Sequence, residues 1–175
     1  MKILSFLCAA ALALSATAAT AKERTVVVVL FDGFSPASLD ATRTPNFDRI
    51  KKDGAWSRHL VPAFPTISLI NHTTFETGCW PSHHGIVSNF FYDPKKGLFP
   101  QSDDAAWRTG CETIWEAAER QGVKSAVFNM IGRWSSTKGK RATTINPDVP
   151  WKDRESDEKV VERGLAALRD NGPNH

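Results

Sequence analysis

Two apolar runs open the chain, and they differ in kind. Ile3 to Leu14 follows the single charge of Lys2 and is itself followed by Ala19-Thr20-Ala21, a small-x-small tripeptide. That order is the pattern of a secretory leader, and the apolar stretch is shorter than the roughly 20 residues a membrane span needs. Residues 1–21 are therefore expected to be a signal peptide, with a mature chain beginning at Lys22 and a periplasmic or secreted destination. The second run, Thr25-Val-Val-Val-Val-Leu-Phe31, has no polar residue at alternate positions and stops at Asp32-Gly33. Unbroken β-branched runs of this length predict a central strand covered on both faces.

Beyond it the pattern turns helical. Thr44-Pro45 reads as a cap and a proline in the first helical position, and Gly54 stops that helix after about two and a half turns. Residues 55–62 suggest a short strand. A helix is expected from Ser68 to Thr77, with Gly78 just past its end. Gly85 to Gly97 reads as an irregular hairpin, and Glu112 to Gln121 as a helix closed by Gly122. Val123 to Asn129 follows as a second buried strand, then a polar stretch from Arg133 to Pro150. From Ser156 to Asp170, Val161, Leu165 and Leu168 recur on one helical face. Alternation of this kind predicts a layered α/β domain. The final helix has no strand after it, so the domain is expected to be incomplete at its C-terminus.

Composition narrows the classes. The 175 residues are 41% hydrophobic and 23% charged, with 22 Lys and Arg against 19 Asp and Glu. That is globular, and it excludes a coiled coil, a collagen-like repeat and a disordered tail. Basic residues are interspersed with acids, so no nucleic-acid-binding stripe is formed. Beyond the leader only Cys79 and Cys111 remain. In an oxidising compartment they form either one bridge or two buried thiols, and no metal-site spacing involves them. The six tryptophans are spread along the chain and read as packing residues.

Candidate chemistry lies in the turns. Asp32 comes directly after the first strand, where open α/β sheets bind ligands; it is placed to hold a metal or to cap a turn. Ser68 opens a helix, whose free N–H groups and positive dipole suit an anionic phosphoryl group; it is a nucleophile or a simple cap, as is Thr66. Asn89 is either an amide donor toward developing negative charge or a turn residue. His83 and His84 form a tempting metal pair, but neighbouring side chains of an extended segment point apart.

In order along the chain stand Val28-Val-Leu-Phe-Asp32-Gly-Phe34, Thr44-Pro-Asn-Phe-Asp-Arg-Ile50, Phe64-Pro-Thr-x-Ser68-x-x-Asn-His72, Thr77-Gly-x-x-Pro-x-His-His-Gly-Ile-Val-x-Asn89 and Tyr92-Asp-Pro94. Together these segments closely resemble the start of the nucleotide pyrophosphatase/phosphodiesterase family, in the alkaline phosphatase superfamily. The resemblance is specific from Val26 to Pro94 and looser to the end. It implies an alkaline-phosphatase-like layered domain with a mostly parallel central sheet, of which residues 22–175 are the N-terminal portion. It also implies a site with two zinc ions acting on a small phosphodiester or nucleotide.

By motif position, Asp32 and Ser68 are metal ligands, Ser68 is the metal-bound nucleophile, and Asn89 donates to a non-bridging phosphate oxygen. Ser68 stands where the family usually has Thr, and Leu69-Ile70 where relatives often have Phe-Pro. The family's other ligands, two Asp and three His, belong to its C-terminal half. At most one partial zinc site is thus expected in this chain, with weak zinc binding and little turnover. A phosphomonoesterase or phosphonate hydrolase of the same superfamily shares Asp32 and the hydroxyl. The sulfatase motif Cys/Ser-x-Pro-x-Arg does not occur around Ser68. A non-catalytic remnant is the reading from another class.

Overall fold

The computed structural model describes residues 24–100, 105–108, 110–133, 139–146 and 155–170. The expected leader, the Lys22 start, Trp134 and Trp151 lie outside the described residues.

The first elements are two short helices. α1 (Pro36–Ala41) is capped by Ser35, whose hydroxyl accepts from the Ala37 N–H at 3.2 Å. α2 (Pro45–Asp53) starts at Thr44 and ends at Gly54, whose N–H bonds the Ile50 carbonyl, as the sequence predicts. α3 (Ser68–Thr77) ends on Gly78 with φ 67°, a left-handed position that glycine takes without steric penalty. α4 (Pro81–His84) is a single turn with Pro81 at its start and Gly85 at its end.

β1 (Tyr92–Asp93) and β2 (Gly97–Leu98) form an antiparallel hairpin, the paired part of the segment expected to be irregular. The Asp93 carboxylate accepts the N–H groups of Lys95 and Lys96 at 2.8 and 2.9 Å and thereby shapes its turn. After a 3₁₀ turn at Ala105–Trp107 comes α5 (Ile114–Arg120). Its capping box joins the Thr113 hydroxyl to the Glu116 N–H, and the Glu116 carboxylate back to the Thr113 N–H. β3 (Ala126–Val127) and β4 (Thr144–Ile145) are parallel neighbours, and α6 (Asp157–Asp170) follows.

Three expectations are corrected. Residues 25–31 carry no ladder among the described residues, and their valines are exposed, Val26 at 82% and Val29 at 66%. β-branching favours extended backbone, but only a neighbouring strand completes a sheet. Residues 55–62 form no strand either: the Ser57 hydroxyl donates to the His59 carbonyl and accepts the His59 N–H, a local turn that competes with pairing. The strand read over Val123–Asn129 shrinks to two paired residues, with its partner β4 inside the stretch read only as polar.

The described core has two parts. Leu69, Ile86, Phe99 and Trp107 pack with Phe91 and Ile131 beneath α3. Trp115, Val127 and Ala142 pack with Met130 and Ile145 around the parallel pair. The two strands of that pair are tied to α5 by Glu119, whose Oε1 accepts the N–H and hydroxyl of both Ser125 and Thr143, each at 2.8 Å. Cys79 and Cys111 form a disulfide with Cα atoms 6.6 Å apart, joining the end of α3 to the approach to α5. The stripe Val161, Leu165 and Leu168 of α6 is 38–59% exposed, without a covering partner among the described residues. No described helix is long and apolar enough to cross a membrane.

Candidate active site

α3 is a helix with two working faces. Leu69, Ile70, Thr73 and Glu76, spaced at one, four and seven, are buried. Ser68 and His72, four residues apart, share a different face.

Thr73 donates its hydroxyl to the Leu69 carbonyl at 2.7 Å and accepts from Arg108 Nη1 at 3.0 Å. Arg108 Nη1 also lies 3.4 Å from Glu76 Oε2, and both side chains are almost wholly enclosed. The close approach of Gly132 completes this enclosure: a Cβ there would stand 2.7 Å from Arg108 Nη1 and 2.9 Å from Glu76 Oε2.

At the top of α3, Ser68 occupies the first helical position, not the cap, which is Ile67. Its hydroxyl makes no capping bond and instead donates to Asp32 Oδ2 at 2.9 Å. The other oxygen, Asp32 Oδ1, lies 3.8 Å from His72 Nε2. One carboxylate thus faces both residues of the helix's site face. Asp32 itself is well exposed, with Gly33 at φ 67° turning the chain behind it.

Asn89 joins from the loop after α4. Its Oδ1 accepts the Leu69 N–H at 3.1 Å, one of the helix's free N-terminal donors. The carboxamide is thereby anchored at the residue after Ser68. All three sequence-predicted site residues therefore meet at the start of α3, Asp32 and Ser68 in direct contact and Asn89 through the Leu69 N–H. Thr66 is exposed on the loop before the helix.

His84 is a bolt behind the site. It is buried, its Nδ1 accepts the Ile86 N–H at 3.1 Å, and its Nε2 lies 3.0 Å from the Thr74 hydroxyl. With Nδ1 an acceptor, Nε2 carries the proton and donates to Thr74. Burial, and then the nearby Arg108 cation, lower its pKa to about 4, so the ring is neutral at physiological pH. Nε2 ties α4 to α3 through Thr74, Nδ1 holds the turn after α4 through Ile86, and His83, on the other side of the turn, is exposed. The adjacent pair does not converge, and among the described residues no group of three or more His, Cys, Asp or Glu is arranged to hold a metal.

Sequence reasoning passed over His72, although its i+4 spacing from Ser68 on an expected helix was a usable signal. The Leu69-Ile70 departure also has a structural counterpart: both side chains point into the core, at 8% and 0% exposure, and offer no platform beside Ser68.

Comparison with known proteins identifies the family. The model of the type I phosphodiesterase / nucleotide pyrophosphatase family matches residues 26–172. An uncharacterized pyrophosphatase/phosphodiesterase of Schizosaccharomyces pombe is 38% identical over 127 residues, which is 69% of this chain and 26% of that protein. Ectonucleotide pyrophosphatase/phosphodiesterase family member 7 of Rattus norvegicus is 32% identical over 127 residues, 70% of this chain and 29% of its own length.

Among solved structures, murine ectonucleotide pyrophosphatase/phosphodiesterase 5, an inactive threonine-to-alanine variant in complex with AMP, superposes with a TM-score of 0.74 at 28% identity. The match covers 83% of this chain and 40% of the murine one. The chain therefore spans less than a third of the length of these two curated relatives. With the match extending over most of its residues, the chain belongs to the type I phosphodiesterase / nucleotide pyrophosphatase family.

Proposed function

We propose that the whole protein is an exported, zinc-dependent hydrolase of phosphodiester or pyrophosphate bonds, with Ser68 as nucleophile. In this reading residues 1–21 are the leader, and residues 22–175 are the N-terminal portion of a layered domain with a mostly parallel central sheet. The observation that carries the proposal is the Ser68 hydroxyl at the start of α3, donating at 2.9 Å to a carboxylate that reaches it from the end of an extended segment.

The donor chemistry suits a zinc ion in part. Asp32 and Ser68 present two oxygens side by side, and a zinc takes about four ligands. Those two residues would hold it, and it would acidify the hydroxyl; stabilising the leaving oxygen would fall to a second zinc, for which this chain carries none of the family's ligands.

The chain's own residues do the rest. Asp32 orients the Ser68 O–H and leaves the oxygen's lone pairs available for attack on phosphorus. The first turn of α3 favours the negative charge of the phosphoryl group. Asn89, held through its Oδ1 by the Leu69 N–H at the residue after Ser68, is the amide we assign to a non-bridging oxygen. The murine relative binds AMP as an inactive threonine-to-alanine variant, which supports a hydroxyl nucleophile and a nucleotide-like substrate here. The "ectonucleotide" names of the relatives support export.

The test is Ser68→Ala in the whole protein, assayed on a chromogenic phosphodiester with and without zinc. Turnover is expected to fall by at least about 10³-fold with the fold retained. Turnover near the unaltered rate would overturn the assignment of Ser68.

A further inference from the structure

We propose that Asn71 is the positioning residue of the Ser68 hydroxyl; the proposal rests on Ser68 being the reacting group. The segment entering α3, residues 63–67, has no regular secondary structure and therefore no ladder to satisfy its backbone. One side chain satisfies much of it. Asn71 Oδ1 accepts the Ala63 N–H at 2.7 Å. Its Nδ2 faces the carbonyls of Ala63 at 3.2 Å, Pro65 at 3.4 Å and Ile67 at 3.0 Å.

The orientation of this carboxamide is fixed by its partners. Reversed, it would set an oxygen against three carbonyls and an NH₂ against an N–H. Ala63 is itself buried, so its N–H and carbonyl have little access to water, and leaving them unpaired is costly.

The consequence falls on Ser68. It lies between Ile67, whose carbonyl Asn71 grips, and Asn71 itself, so the staple closes a short ring of backbone around it. The ring sets where the first turn of α3 begins, and hence where the Ser68 oxygen stands relative to Asp32. Asn71 does this from behind, through main-chain atoms alone. Asn89 acts on the same turn from a different loop, through the Leu69 N–H. The two asparagines divide the work, one fixing the approach to Ser68 and the other the residue after it.

The experiment uses the 175-residue chain and two variants. Asn71→Leu removes all the bonds; Asn71→Asp keeps the acceptor for Ala63 and sets a charge against three carbonyls. Each is treated with a fluorophosphate diester, from which the Ser68 oxygen displaces fluoride as its proton is lost to solvent, and Ser68 modification is followed by mass spectrometry. The maximal modification rate is expected to fall about 10- to 100-fold, as for a misplaced reacting atom, while the half-saturating reagent concentration stays unchanged. Crystal structures of the variants are expected to show the Ser68–Asp32 separation opening from 2.9 Å to beyond about 3.5 Å, the limit of a hydrogen bond.

A folded variant that keeps both the unaltered rate and the 2.9 Å contact overturns the proposal. If the unaltered chain, with its partial zinc site, is not modified, the Ser68–Asp32 separation measured in the variants decides the role of Asn71, and the nucleophile itself is judged in the whole protein. If neither variant folds, hydrogen exchange in the unaltered chain decides it. Protection of the Ala63 N–H comparable to the middle of α3 supports the staple, and exchange at the rate of an open loop refutes it.

Discussion

Replacing both Cys79 and Cys111 by alanine removes the one covalent tie between the end of α3 and the segment leading into α5. The bridge closes a loop with a sequence separation of 32, and on the chain-entropy estimate that constraint is worth about 3.7 kcal/mol at 25 °C. For a domain of this size that corresponds to a fall in Tm of roughly 7–15 °C. The folded state adds a reason to expect the full effect. Gly110 packs so tightly on α4 that an added Cβ would sit 1.9 Å from the His83 carbonyl oxygen, so the loop has no slack to take up elsewhere. Thermal unfolding followed by far-ultraviolet circular dichroism, on the oxidised protein and the double variant, measures the difference. A shift below about 3 °C would refute the loop-closure reasoning. Two thiols titrating in unreduced, unfolded protein would refute the bridge itself.

Arg108→Met takes the guanidinium away from Glu76 and Thr73 in an enclosed site and is expected to destabilise by about 3–5 kcal/mol; a paired Glu76→Gln change should recover part of this in denaturant titrations. His84 has a folded pKa of about 4 against an ordinary 6.5, so as pH falls the unfolded chain takes up its proton first. Stability is therefore expected to decline by up to about 3 kcal/mol between those two values, and His84→Gln should flatten urea midpoints across that window. At Glu119 burial raises the carboxyl's pKa, but the bonds from Ser125 and Thr143 outweigh it and hold the group below the usual 4.5. Its stabilisation is present above 4.5 and lost as pH falls through the lower folded value. Glu119→Gln should accordingly cost about 1–3 kcal/mol at neutral pH, with the gap from the unaltered protein closing in acid.

Four of the six described helices were legible because their signals are local; the short α1 and α4 were not foreseen. Pro45 and Gly54 bracket α2, Gly78 ends α3, and the spacing from Val161 to Leu168 falls within α6. The strands were not, because a strand is completed by a partner elsewhere in the chain. Four valines in a row look the same whether or not a neighbour pairs with them, and β4 hid in a polar stretch because only two of its residues pair. The meeting of Asp32, Ser68 and Asn89 was legible through motif order alone, since nothing in their separation along the chain brings them together. Asn71 and His84 were missed or misread for a related reason. A carboxamide reaching back to three carbonyls, and an imidazole spent on Thr74 and Ile86, are defined by the path of the surrounding backbone. Residue type does not announce either role.

The two partners of the central hydrogen bond are held very differently, and this bears on how the site works. Ser68 stands on a helix secured at its start by Asn71 and Asn89, along its underside by Leu69, Ile70 and the Thr73–Arg108–Glu76 group, and at its end by the disulfide. Asp32 is carried by an exposed extended segment, steadied beside it by Phe31, Phe34 and Phe47, whose rings lie 5.4 to 5.9 Å apart. Small aromatic clusters of this kind add on the order of 1 kcal/mol per pair, much less than the anchoring of the helix. The position of the Ser68 oxygen is thus fixed by α3, and the carboxylate is the partner that adjusts to it. If the proposed zinc-dependent reaction holds, that division suits it: a rigid hydroxyl would define where phosphorus is attacked, and a more compliant carboxylate would adjust around the ion.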